Sequence, residues 1–273
     1  MKLIESAAEL SQICQVANGK IGFIPTMGAL HQGHLELLRR AQAAGDFSVV
    51  SVFVNPLQFN NARDLAQYPR SIEVDSALLE AAGADVLFVP SNEEVYPENP
   101  AVSGVELGDL AHCFEGAFRP GHFEGVLQVL TRLFSLVQPS RTYFGQKDLQ
   151  QCMVVRKLIE QKFDGLEMIT VPTVRASTGL ALSSRNQRLS EQGRERARAI
   201  HEQLQWLSTQ ADFTQTLEQG ERRLSALGIE TEYLNAVALP NMNKIDRATD
   251  SAEKALVFAG YLEGVRLIDN LLF

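Results

Sequence analysis

Two histidines, His31 and His34, stand where a predicted strand runs into a predicted helix. The apolar run Lys20–Thr26 predicts the strand, and the spacing of apolar residues predicts a helix over Gly33–Ala44. A helix N-terminus presents unpaired backbone N–H groups and the positive end of the helix dipole, so it attracts phosphate. Histidines at this spacing share one helix face and can donate to phosphate oxygens, while Gly33 allows close approach to the backbone. The segment therefore indicates a nucleotide phosphate site.

The spacing of the two histidines leaves two other interpretations open, a pair of zinc ligands or a histidine that only caps the helix. Neither the Walker A pattern nor G-x-G-x-x-G occurs in the sequence, so His31–His34 is the best candidate for nucleotide entry. These four residues resemble the H-x-G-H signature of adenylate-forming and nucleotidyl-transferring proteins, which include the class I aminoacyl-tRNA synthetases.

Five segments taken together resemble a single family. Each is only suggestive alone, but their order and spacing are specific. They are Pro25–His34, Val52–Phe59, Arg119–Val126, Phe144–Gln151 and Leu182–Asn186. They resemble the motif set of the pantothenate synthetase family over roughly residues 20–189, and Arg266–Asn270 adds a looser match near the end of the chain.

Polar residues suited to binding an organic acid follow a predicted strand over Phe47–Asn55. Ligands of open α/β sheets bind beyond the carboxyl ends of the strands, where Asn55 and Gln58 offer neutral donors and acceptors. From the residues alone, Asn55 could equally begin a turn at Pro56. Arg119 suits a carboxylate clamp, or it is a solvated loop charge. The family resemblance implies that Asn55, Gln58 and Gln151 hold pantoate, with Arg119 beside that pocket.

A second set of donors follows a predicted short strand over Thr142–Phe144 and lies near the predicted domain junction. The ammonium of Lys147 can neutralise phosphate charge, whereas Asp148 can also serve as a helix cap. The hydroxyl and guanidinium groups of Ser183–Arg185 suit a triphosphate, or form an ordinary turn. The resemblance implies an ATP site whose members are Met27, His31, His34, Gly145, Lys147, Asp148, Val174, Leu182, Ser183, Ser184 and Arg185.

The activity that the resemblance implies is ATP-dependent ligation of (R)-pantoate to β-alanine through a pantoyl adenylate, releasing AMP and pyrophosphate. His31, His34 and Lys147 are the expected catalytic donors, because charge builds on the phosphates and no protein nucleophile is needed. Mg²⁺ is expected to accompany ATP, bound by phosphate oxygens and water, with no protein ligand assigned. Asp75 is a possible carboxylate near this Mg²⁺. Four positions depart from the family pattern: Gln146, Leu149, Ala176 and Leu182.

Apolar strands alternating with helices predict an α/β fold, a Rossmann-like doubly wound parallel sheet over residues 1–176. Residues 177–273 predict a smaller α+β domain that we expect to act as a lid. It would combine helices over Ser190–Ser208 and Phe213–Leu227 with β-like runs. These runs are Thr231–Val237, Ala255–Tyr261 and Val265–Ile268.

Composition narrows the function classes. The net charge of −8 and the absence of a basic block argue against nucleic acid as a partner, including for an RNA-binding synthetase relative. No apolar stretch reaches the roughly 20 residues of a membrane span, and the first residues lack a signal-peptide pattern. Three scattered cysteines indicate reduced thiols and a cytoplasmic protein. The resemblance implies a homodimer. The remaining alternatives are a nucleotidylyltransferase of coenzyme synthesis and a non-catalytic nucleotide-binding regulator.

Overall fold

The computed structural model describes residues 1–96 and 104–273 and contains two compact units. The first comprises Met1–Gly145 and Gln151–Val171, and the second comprises Gln146–Gln150 and Pro172–Phe273. This division falls slightly before the junction expected after residue 176. It also places Lys147 and Asp148 in the second unit, because the turn that carries them is hydrogen-bonded to the last strand of the chain.

The first unit is built on a parallel sheet, as the alternating strands and helices predict. Within the described residues its strands are β1 Lys2–Ile4, β2 Ile21–Thr26, β3 Phe47–Val52, β4 Val86–Phe88, β5 Arg141–Gly145 and β6 Glu167–Val171. Their order is β1-β4-β3-β2-β5-β6, and every neighbouring pair is parallel. The chain leaves β2 towards β3 on one side and later returns to pair β5 on the other. The loop after β2 therefore lies at a topological switch point, where ligands of such sheets bind.

Helices connect these strands. They are α1 Ala7–Val16, α2 Gln32–Ala43, α3 Ala62–Ala66, α4 Ile72–Ala81, α5 Asn92–Val95, α6 Phe114–Phe118, α7 His122–Val137 and α8 Leu149–Lys162. Leu37, Leu38 and Ala41 of α2 pack on Ile24 of β2 and Val50 of β3, which fixes the start of α2 relative to the sheet. None of the helices in the described ranges is long and apolar enough to cross a membrane.

The second unit has its own antiparallel sheet and its own core. The sheet has the order β10-β9-β7-β8, with β7 Glu230–Ala238, β8 Asn243–Lys244, β9 Lys254–Leu262 and β10 Val265–Leu272. Helices α9 Glu191–Ser208 and α10 Thr216–Ser225 cover it, and Leu204, Phe213 and Phe258 are buried in the core. Ser190 caps α9 by accepting from the N–H of Gly193.

Several element boundaries differ from those predicted, and two of the differences have a clear local reason. The predicted strand Phe47–Asn55 ends at Val52, because Asn55 caps a 3₁₀ turn over Pro56–Gln58. The helix predicted from Phe213 begins at Thr216, since the N–H of Phe213 donates to the carbonyl oxygen of Asp246. The pattern of apolar residues in the sequence also did not predict β1, α1, β8 and the short helices.

Candidate functional site

The turn between β2 and α2 is held by a buried carboxylate. Asp75, on α4, is 2% exposed, and its two oxygens accept from the N–H groups of Ala29 at 2.8 Å and Leu30 at 2.7 Å. Gly28 has φ +80°, and a Cβ there would lie 2.9 Å from Asp75 Oδ2. Because both carboxylate oxygens accept backbone N–H groups, Asp75 positions this turn.

His31 and His34 cap the helix that they open. The N–H of Gly33 donates to Nδ1 of His31 at 3.1 Å, and the N–H of His31 donates to Nδ1 of His34 at 3.2 Å. This is a capping box built from two imidazoles, and the ring centroids lie 4.1 Å apart. A Cβ on Gly33 would lie 2.8 Å from Cε1 of His31, so this glycine makes room for the histidine ring.

The caps decide which ring nitrogen of each histidine carries the proton. A nitrogen that accepts from a backbone N–H holds no hydrogen, so each neutral ring is protonated at Nε2. The capping interpretation is thus correct for both residues, and Nε2 is the donor atom of each neutral ring. No cluster of three or more His, Cys, Asp or Glu suited to a metal occurs within residues 1–96 and 104–273. The zinc interpretation therefore gains no support.

Asn55 is buried and its side chain is bonded on every side. Its Nδ2 donates to Gln58 Oε1 at 3.1 Å and to the carbonyl oxygen of Gly125 at 3.0 Å. Its Oδ1 accepts from the N–H of Leu57 at 3.2 Å and from the hydroxyl of Tyr96 at 2.7 Å. Burial raises the pKa of Tyr96, so that hydroxyl remains a donor. In this structure four hydrogen bonds engage the Asn55 amide and orient Gln58, and a direct contact of Asn55 with pantoate stays a prediction.

Gln58 connects the loops that follow β2 and β3. Its Oε1 accepts from Asn55, and its Nε2 lies 2.9 Å from the sulfur of Met27, which stands in the β2–α2 turn. The side chain is 8% exposed. A Cβ on Gly125 of α7 would lie 2.5 Å from the backbone of Leu57, so only glycine lets α7 approach this turn. The structure thus brings together two predicted site residues, Met27 and Gln58.

His122 joins Arg119 to the backbone of Gln58. The carbonyl oxygen of Gln58 can only accept, so His122 Nδ1, 2.9 Å away, is the donor. His122 Nε2 then accepts from Arg119 Nη1 at 3.1 Å. Arg119 also reaches Glu115 and the Gln58 carbonyl oxygen, both at 3.4 Å. Arg119 is therefore anchored next to Gln58, and its interpretation as a solvated loop charge is wrong.

The sequence places His122 inside the segment Arg119–Val126 without indicating a role for it, and no sequence pattern points to Tyr96. Only the position of His122 three residues after Arg119 could have pointed to it. The third predicted pantoate residue, Gln151, is partly buried near the start of α8. Its neighbour Cys152 donates from Sγ to the carbonyl oxygen of Gly145, at the end of β5.

In the second unit, Lys147 and Asp148 belong to a 3₁₀ turn over Gln146–Asp148 that leads directly into α8. The lysine side chain is 18% exposed, and its Nζ lies 3.9 Å from Asp148 Oδ2. Asn270 of β10 donates to the carbonyl oxygens of Gln146 and Lys147, both at 2.9 Å. The backbone under the candidate catalytic lysine is therefore fixed by the last strand of the chain.

The loop over residues 174–185 folds back on itself and carries the remaining predicted ATP residues. The N–H of Leu182 donates to the carbonyl oxygen of Val174 at 3.0 Å, which places the two candidates side by side. Ser183 then caps a 3₁₀ turn over Ser184–Arg188 by accepting from the N–H of Arg185 at 3.3 Å. The ordinary-turn interpretation is thus correct for Ser183. The predicted donors Ser183, Ser184 and Arg185 stand in one short turn.

Comparison with known proteins decides the family. The family model described as Pantoate-beta-alanine ligase matches residues 2–272. The chain belongs to this family. Among pantoate-beta-alanine ligases, the pantothenate synthetase of Cytophaga hutchinsonii is 43% identical over 93% of this chain and 92% of the relative. That of Thermus thermophilus is 43% identical over 99% of both chains.

Solved structures of pantoate-beta-alanine ligases share the fold. The crystal structure of pantothenate synthetase from Thermus thermophilus has a TM-score of 0.92, at 42% identity over 99% of both chains. That of pantoate-beta-alanine ligase from Francisella tularensis, complexed with beta-gamma ATP and beta-alanine, has a TM-score of 0.85. It is 35% identical and covers 100% of this chain and 97% of that one. The chain is thus a ligase with a Rossmann-like parallel sheet and a small α+β unit.

The four residues that depart from the family pattern occupy well-defined places in the structure. Gln146 donates from Nε2 to Asn270 Oδ1 at 3.1 Å, a bond that needs an amide. Leu149 is 5% exposed. Ala176 packs against the core of the second unit, where an acidic residue would be costly, and Leu182 is partly buried. These substitutions are compatible with the local fold.

Proposed function

We propose that this chain ligates (R)-pantoate to β-alanine at the expense of ATP, giving pantothenate, AMP and pyrophosphate. The observation that carries the proposal is the contact between Gln58 and Met27. It links the loop carrying the acid-binding candidates to the turn that presents His31 and His34. An adenylating enzyme needs a carboxylate next to the α-phosphorus, so its acid site and its phosphate site must adjoin.

The phosphates would be bound by two groups of donors. In the first unit, His31 and His34 offer Nε2–H groups at the start of α2, with the positive end of the helix dipole behind them. In the second unit, Lys147 supplies a cation, and Ser183, Ser184 and Arg185 supply hydroxyl and guanidinium groups. Gly145 and Asp148 flank the lysine turn, and Met27, Val174 and Leu182 complete the proposed ATP contacts.

Pantoate would be bound by Gln58 and Gln151, with Arg119 nearby to attract its carboxylate. Asn55 and His122 hold Gln58 and Arg119 in place and do not need to touch the substrate. Neutral amides suit the hydroxyl groups of pantoate, because they both donate and accept hydrogen bonds.

The proposed chemistry proceeds by two displacements. The pantoate carboxylate attacks the α-phosphorus of ATP and pyrophosphate leaves. The β-alanine amine then attacks the acyl carbon, loses a proton and expels AMP. His31, His34 and Lys147 stabilise the charge that builds on phosphate oxygens, which is the usual contribution of preorganised donors. Mg²⁺ bound with ATP would be held by phosphate oxygens and water and would neutralise part of the phosphate charge, with no protein ligand assigned.

We also propose that residues 177–273 act as a lid, that the enzyme is a homodimer, and that it works in the cytoplasm. The candidate donors Lys147, Ser183, Ser184 and Arg185 belong to the second unit, which supports a mobile phosphate-binding role for it. Cys14, Cys113 and Cys152 are present as thiols, in keeping with a reducing compartment. Nucleic acid and membranes are not proposed as partners.

The test is exchange of labelled pyrophosphate into ATP. Exchange should require pantoate and proceed without β-alanine, because adenylation uses only ATP and the acid. Gln58→Ala should depress exchange, while Gln128→Ala, on the partly buried face of α7, should not. A nucleotidylyltransferase would exchange without pantoate. Release of ADP, or a requirement for β-alanine, would contradict the adenylate route.

A further inference from the structure

The motif near the end of the chain, Arg266–Asn270, has no role in the proposed site, yet one of its side chains is directed at the turn of Lys147. Asn270 lies on β10 and is 2% exposed. Its Nδ2 donates to the carbonyl oxygens of Gln146 and Lys147 at 2.9 Å each, and its Oδ1 accepts from Gln146 Nε2 at 3.1 Å. One buried amide therefore makes three hydrogen bonds to two consecutive residues.

Only an amide satisfies this arrangement. Two carbonyl oxygens need two N–H donors, and the third bond needs an acceptor on the same side chain. Aspartate would place carboxylate oxygens against two carbonyl oxygens, and alanine would leave both carbonyl groups without their partner. None of these three hydrogen bonds involves the lysine ammonium. They fix the backbone of Lys147, and the side chain can extend from it towards phosphate.

The neighbouring residue fixes the other donor segment. Asp269 forms a two-point salt bridge with Arg175, at 2.6 and 2.9 Å. Arg175 also donates to the carbonyl oxygens of Gly179 and Asn270, both at 3.2 Å. Successive side chains of a strand point to opposite faces, so this dipeptide reaches two separate segments.

We infer that Asn270 is a positioning residue for the adenylation step, acting through Lys147 by fixing the backbone turn beneath it. Asp269 does the same for the 174–185 loop through Arg175. The inference rests on the proposed phosphate role of Lys147. It explains why a residue at the end of the chain, remote in sequence from every proposed substrate contact, forms part of the family motif set.

The experiment is a double-mutant cycle measured by pantoate-dependent pyrophosphate exchange. Asn270→Asp should lower kcat by about 10–100-fold, as expected when a reacting group is displaced by about 1 Å, with little change in KM for pantoate. In the Lys147→Ala background the same substitution should change kcat less than about twofold, because the group it positions is gone. Gln146→Ala keeps Asn270 and removes one of the three hydrogen bonds, so it should lower kcat less than Asn270→Asp does.

The controls separate this inference from simple loss of stability and from failure of the proposed function. Asn235→Ala, a partly exposed amide on β7, should leave kcat unchanged, and each variant's thermal midpoint is measured. The inference would be overturned if Asn270→Asp lowered kcat equally with and without Lys147. Normal exchange by both Asn270→Asp and Gln146→Ala would also overturn it. Normal exchange by Lys147→Ala alone would instead refute the proposed role of the lysine.

Discussion

The side-chain nitrogen of Asn55 donates to Oε1 of Gln58, 3.1 Å away, and this bond fixes which end of the glutamine amide faces Met27. Asn55 can impose that choice because Gly125 and Tyr96 fix its own orientation. We therefore expect Asn55 to affect pantoate binding through the orientation of Gln58.

Reversing the polarity of Asn55 should misorient Gln58. Asn55→Asp removes both donors and places an oxygen against the Gly125 carbonyl oxygen, which should cost about 1–3 kcal/mol of stability. KM for pantoate should rise while KM for ATP changes little. Tyr96→Phe removes one bond of the four and should cost about 0.5–1.5 kcal/mol. Urea unfolding and steady-state kinetics check this; equal effects on both substrates would contradict the assignment.

Substitutions at His34 should separate capping from phosphate binding. His34→Asn keeps an acceptor near the position of Nδ1 and removes Nε2, so the thermal midpoint should hold while ATP binding weakens by about 1.5–3 kcal/mol. His34→Ala removes both groups and should also lose about 1 kcal/mol of stability. Calorimetric titration with ATP, beside thermal melts, tests the pair. Unchanged ATP affinity in His34→Asn would refute the donor role.

Gly125 should tolerate no side chain. Gly125→Ala sets a methyl group 2.5 Å from the Leu57 backbone, so the turn carrying Gln58 must move. Overpacking of this kind costs about 1–3 kcal/mol, and pantoate-dependent exchange should fall with stability. Glu124→Gln, an exposed neighbour on α7, should stay within about 0.5 kcal/mol of the parent. Wild-type kinetics in Gly125→Ala would show that the close approach is not needed.

Lys147 should contribute to the rate more than to the fold. Lys147→Ala is expected to lower kcat by about 10²–10³-fold, the loss typical of one transition-state donor. Lys157→Ala, an exposed lysine further along α8, is the matched control and should have normal kcat. Single-turnover measurement of adenylate formation separates this step from product release.

The sequence alone predicted the local structure around the candidate site. The strand and the helix around His31 and His34 were predicted from an apolar run and from the spacing of apolar residues, and the capping bonds found there join residues only two and three positions apart. Strands buried on both faces revealed the parallel sheet, since both faces must be apolar. The position of Asn55 before Pro56 likewise signalled the turn that the structure contains.

The hydrogen bonds that distinguish the roles of the site residues join segments far apart in the sequence, so no local pattern predicts them. Asp75 reaches the Leu30 N–H across 45 positions, Asn55 reaches Gly125 across 70, and Asn270 reaches Lys147 across 123. The sequence by itself determined which residue types stand at the ends of strands and helices, because caps and turns depend on near neighbours. Only the tertiary structure decided which polar side chains are used up in holding the others, because a hydrogen bond between distant segments depends on where folding brings their atoms together.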